Sequence, residues 1–88
     1  MKYDYQAGLG AAVVALPTGN YLLSVSAWAA APGASMQIGT GALIPVPING
    51  SVTANPNRGV VGTPAPAVLN VTFVGTTSYF VEWCDSPF

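Results

Sequence analysis

Histidine is absent from this 88-residue chain, cysteine occurs once, and only five residues carry a formal charge. Each shortage excludes a kind of chemistry. With no histidine and Cys84 alone, there is no material for a zinc site, an internal disulfide, or a Ser-His or Cys-His nucleophile pair. Lys2 and Arg58, the two basic residues, cannot neutralise a run of phosphates, so nucleic acid is not an expected partner. Charged residues make up 6 % of the chain, against roughly 25 % in soluble proteins. The apolar share, 51 %, is near average, so Gly, Pro, Ala, Ser, Thr and Asn take the places of charge.

Long apolar runs are missing too. Between Tyr5 and Asn57 no residue is charged, yet Pro17, Asn20, Ser24, Ser26, Pro32, Ser35 and Gln37 break the stretch. No window of about 20 residues is continuously apolar, so no membrane-spanning helix is expected. Residues 7–16 resemble the apolar part of a signal peptide. Asp4 and the polar Tyr3, Tyr5 and Gln6 precede them, where a basic segment belongs, and Pro17-Thr-Gly-Asn20 reads as a turn. No signal peptide is expected, and the acceptor-like Asn49-Gly-Ser51 and Asn70-Val-Thr72 then read as coincidence.

Alternating strands dominate what is present. Tyr21–Trp28 alternates, with Tyr21, Leu23, Val25 and Ala27 on one face and Leu22, Ser24, Ser26 and Trp28 on the other. In residues 67–74, Leu69, Val71 and Phe73 make the dry face. In residues 78–84, Tyr79, Val81 and Trp83 oppose Phe80, Glu82 and Cys84. Gly75-Thr-Thr77 between these two runs predicts a C-terminal hairpin. Ser35–Gly39 is a short strand with Met36 and Ile38 inward. Residues 43–48 read as an edge strand, because Pro45 and Pro47 lack donors on the same side; Ile44, Val46 and Ile48 are its inward residues. Asn49-Gly50 predicts a tight hairpin turn into 51–54. Residues 9–16 fit a strand better than a helix, Arg58–Gly62 a short strand or bulge, and Thr63–Pro66 a stiff connector. The expected fold is all-β: a small antiparallel β-sandwich or barrel of six to eight short strands, forming a single domain over 1–88 with residues 1–8 as an N-terminal arm.

No catalytic, cofactor-binding or metal-ligating residue is expected, and the chain reads as a non-enzyme. Glu82 and Asp85 fall on opposite faces of a strand and do not make a carboxylate pair. The G-x-G patterns at Gly8-Leu-Gly10 and Gly39-Thr-Gly41 lack the strand–helix context of a nucleotide loop. The sparse charge bears on assembly instead. A monomer of 8.9 kDa exposes about 4,800 Å², roughly one charge per 1,000 Å². Such a surface suits contact with neighbours, and a domain this small without staples gains stability from them. Expected contact residues are Tyr3, Tyr5, Trp28, Arg58, Glu82 and Trp83: aromatic anchors and the few charges that need partners. An aromatic platform for glycans, built from Trp and Tyr, is the alternative.

Gly19-Asn-Tyr-Leu-Leu-Ser-Val-Ser26, Met36-Gln-Ile38, Ile44-Pro-Val-Pro-Ile48 and the closing Val71-to-Glu82 stretch together resemble small β-sandwich virion proteins of tailed bacteriophages. These are capsid decoration (cement) proteins and head- or tail-fibre modules. The resemblance covers about two thirds of the chain and rests on composition and strand style. It implies a homo-oligomer, often a trimer, fixed to a major capsid or other virion protein at the particle surface after synthesis in the host cytoplasm.

Overall fold

The computed structural model describes residues 3–56 and 69–85. Eight strands follow one another: β1 (Tyr3–Leu9), β2 (Ala12–Leu16), β3 (Tyr21–Ala29), β4 (Ala34–Ile38), β5 (Ile44–Val46), β6 (Gly50–Ala54), β7 (Leu69–Val74) and β8 (Ser78–Cys84). They form two antiparallel four-stranded sheets, a front sheet in the order β1-β8-β3-β6 and a back sheet in the order β2-β7-β4-β5. The expected all-β sandwich is therefore the fold. The accessible surface is 4730 Å², close to the area expected for this mass, so the low charge density applies to the folded molecule. Among the described residues no helix is long and apolar enough to cross a membrane.

The connections differ from those the turn residues suggest. β7 and β8 do not pair: β7 lies between β2 and β4 in the back sheet, and β8 between β1 and β3 in the front sheet. The closing hairpin expected around residues 75–77 is thus an arch from one sheet to the other. Gly75 turns it with φ 69°. The same correction applies at Asn49-Gly50, where β5 and β6 also belong to opposite sheets. There the Gly50 N–H donates to the Pro47 carbonyl at 3.1 Å, and Asn49 sits third in the turn with φ 54°. That is the position a type II turn gives to Gly or Asn. β4 and β5 are the consecutive strands that do pair, with Ser35 opposite Pro45.

At one end of the sandwich the two arches bond to each other and to the end of β3. The Gly10 N–H donates to the Thr77 carbonyl, the Thr76 hydroxyl to the Gly10 carbonyl, and the Thr77 N–H to the Trp28 carbonyl, all at 2.8–2.9 Å. This stacks β1 over β2 and β8 over β7.

The core lies between the sheets. Val14 and Leu16 (β2), Val25 and Ala27 (β3), Met36 (β4), Val46 (β5), Val71 and Phe73 (β7) and Val81 (β8) are buried in it. Phe73 stacks on Tyr79 across the layers at 4.8 Å. The inward positions expected for Met36 and Val46 hold, and β5 is an edge strand as Pro45 requires. Ile48 is instead exposed, because the chain has already turned out of the back sheet by that residue.

Two other expectations change. Leu22 pairs with Trp83 and Ser24 with Glu82, so Leu23 is an extra residue in β3. This bulge reverses the faces before it: Leu22, not Tyr21, joins the core. Residues 3–8, expected as part of an arm, belong to β1, the outer strand of the front sheet, in register with β8 from Tyr3–Cys84 to Leu9–Ser78. The strand and connector expected over 58–66 lie outside the described residues.

Candidate functional site: the outer face of the front sheet

Residues directly opposite in antiparallel strands share a face. The pairing therefore sets the rows of neighbours on the outer face of the front sheet. Tyr5 stands beside Glu82 and Ser24, Ala7 beside Phe80, Ser26 and Thr53, and Leu9 beside Ser78, Trp28 and Ser51. Tyr3, Cys84 and Tyr21 make the next row down. The inner face takes Val81, Trp83, Val25 and Ala27, the apolar half of the same alternation.

The outer face is unusually aromatic for a surface. Tyr3 is 50 % exposed, Tyr5 58 % and Trp28 38 %, and Leu9 is exposed beside them. Tyr5 stacks on Phe80 with ring centroids 5.7 Å apart, which fixes both rings as one flat patch. The Tyr3 hydroxyl donates to the Glu82 carboxylate. That bond gives a polar tether to a carboxylate only 9 % exposed. Cys84 is fully buried, forms no disulfide and lies outside the central cluster.

Next to Phe80 and Trp28 the face dips into an open hollow of about 220 Å³, lined also by Ser26, Ser51, Thr53 and Ser78. Among the described residues no group of three or more metal-ligating side chains comes together, and no buried side-chain polar atom lacks a hydrogen bond.

Four of the six contact residues expected from the sequence (Tyr3, Tyr5, Trp28 and Glu82) thus meet on one face. Trp83 does not: it points inward, is 9 % exposed and packs in the core, beside a cleft shared with Asp4, Pro17, Asn20 and Asp85. Arg58 lies outside the described residues. Phe80 completes the patch and was not among the expected six. Its signal was in the sequence, in the position opposite Tyr79, Val81 and Trp83 in the β8 alternation. Compared with protein-family models, with curated proteins and with solved structures, the chain matches none.

Proposed function

We propose that this protein is a non-enzymatic structural component of a virion, a decoration or cement protein of a tailed-phage particle. It docks on a neighbouring virion protein through the outer face of the front sheet. The observation that carries the reading is the patch of Tyr3, Tyr5, Phe80 and Trp28 on a surface nearly without charge. Aromatic side chains held rigidly in the open supply most of the energy in protein contacts, with little entropy left to lose. Ser26, Thr53 and Ser78 around them suit a partner's backbone groups as well as water. Apolar area buried in the contact contributes roughly 25 cal/mol per Å² before association costs.

The test is co-sedimentation of the full chain with intact phage particles from the cells that make it. The expected result is co-migration with the particle, and at least a ten-fold loss of attachment for Tyr5→Ser combined with Trp28→Ser at an unchanged melting temperature. A chain that never travels with particles, or variants that stay attached, would overturn the reading.

A second reading has its own observation. The hollow beside Trp28 and Phe80 combines flat rings with the hydroxyls of Ser26, Ser51, Thr53 and Ser78, a surface able to stack and hydrogen-bond a glycan ring. A glycan array on the full chain separates the two. Binding lost in Trp28→Ala, with folding kept, would favour glycan recognition and a fibre-type role.

A further inference from the structure

The four sheet edges of the sandwich are not equivalent. β5 closes one flank of the back sheet and carries Pro45, which offers no donor to an incoming strand. On the same flank the Asn49 N–H donates to the Ala29 carbonyl and Ile48 bridges to Ala29, tying the β5–β6 crossing to β3. Among the described residues the opposite flank, made of β1 over β2, has no such guard. Neither strand contains proline or a basic residue, and Asp4 is the single charge in both.

The free edge of β1 can be read residue by residue. The Tyr5 N–H is taken by the side chain of Asp4 at 2.8 Å, so it points away from β8. Backbone groups alternate along a strand, and those of Tyr3, Ala7 and Leu9 therefore point to the open edge with it. Asp4 covers one of these donors.

From these observations we infer that the β1 edge pairs antiparallel with the β1 edge of a second copy, joining two front sheets across a two-fold axis at Gln6. This inference rests on the reading of the chain as an assembly part and names the surface by which it meets itself. Register and charge argue for a second copy. With Gln6 opposite its own copy, Tyr3 faces Leu9 and Tyr5 faces Ala7, so all seven residues of β1 pair. Asp4 then falls opposite Gly8 of the copy, and the two Asp4 side chains stand about 13 Å apart along the ladder. No like charges meet. The Tyr5 N–H exchanges the Asp4 carboxylate for the copy's Ala7 carbonyl.

The axis runs along the sheet normal. Gln6 and Ala15 are each four residues from the Gly10–Ala11 turn, so the same axis brings the edge of β2 toward its copy in the second layer. The molecule measures 36 × 22 × 22 Å. The seven residues of β1 run about 23 Å, so the flank offers about 500 Å² per partner, the size of a weak, reversible contact. Such an isologous contact closes at two copies.

Cysteine scanning along β1 tests it, because a residue on the axis meets itself. Under a mild oxidant, Gln6→Cys is expected to form a disulfide dimer at least ten-fold faster than Leu9→Cys. The two Leu9 positions lie about 20 Å apart in this register, and the buried Cys84 leaves the parent chain uncrosslinked. Sedimentation velocity of the parent chain up to about 0.5 mM is expected to show a monomer–dimer equilibrium. Ala7→Pro removes a donor from the open edge alone and should weaken that equilibrium at least ten-fold with its melting curve intact. Equal crosslinking at residues 6 and 9, a strict monomer, or a trimer would overturn the inference. Particle co-sedimentation of a monomeric Ala7→Pro chain would then leave the proposed function standing without it.

Discussion

Phe73 occupies the centre of the sandwich, fully buried and stacked on Tyr79. In so small a domain one such ring is a large part of the stability. Folded proteins of this length hold about 4–13 kcal/mol in total. Phe73→Ala is expected to lose about 3–5 kcal/mol, enough to leave much of the chain unfolded in a urea titration, while Phe73→Leu keeps a cooperative transition. Gly8 is a subtler residue. It pairs with Tyr79, and a Cβ built there would sit 2.6 Å from the Tyr79 hydroxyl oxygen. The missing side chain lets the Tyr79 ring lie across β1, where Gln6 donates to its hydroxyl at 3.4 Å. Gly8→Val gains strand propensity yet must displace that ring. A net destabilisation of about 1–2 kcal/mol in the same titration is the expected sign, and a stabilised variant would contradict this account.

Among the elements, what could be read in advance depended on burial. β3, β4, β7 and β8 each have one dry face, so their alternation of Val, Leu, Met and Phe with Ser, Thr and Asn announced them. β1 is exposed over most of its length, so Tyr, Asp, Tyr and Gln give no hydrophobic rhythm that separates a strand from an arm. The partner sheet of each strand was also illegible. Gly75-Thr-Thr77 and Asn49-Gly50 turn the chain sharply in either case, and local residues do not specify whether the next strand lies alongside or across the core. The aromatic patch was legible in part: Tyr3, Tyr5 and Trp28 stood out by type. Their meeting with Phe80 depends on the pairing of β1 with β8 and β8 with β3, which is long-range. Pro45 gives a prediction at this scale. Pro45→Thr restores a donor on the free side of β5, and the expected result is more light scattering at equal concentration with little change in melting temperature. Unchanged scattering would remove the guard role from Pro45.

As a whole, the molecule has almost no electrostatic means of finding or holding a partner. Its formal net charge is −1, and Lys2, Asp4, Arg58, Glu82 and Asp85 are all it can use. Its associations should therefore ignore ionic strength. Attachment and self-pairing are expected to change less than about two-fold between 0.05 and 0.5 M NaCl, measured by co-sedimentation and sedimentation velocity. A steep loss with salt would mean that the few charges, not the rings, do the holding.

β8 lies between β1 and β3 in the front sheet, although about fifty residues of chain separate it from β3. A ribosome makes the two flanking strands long before the strand that belongs between them. Until residues 78–84 emerge, Val25, Ala27 and Leu22 have no front-sheet partner on that side, and β1 has none at all. The front sheet can only close late, after a long loop has been ordered, and such pairing is slow. The nascent chain must therefore carry these apolar strands open until residues 78–84 have been made, and the speed of the pairing that follows limits how much of it escapes aggregation.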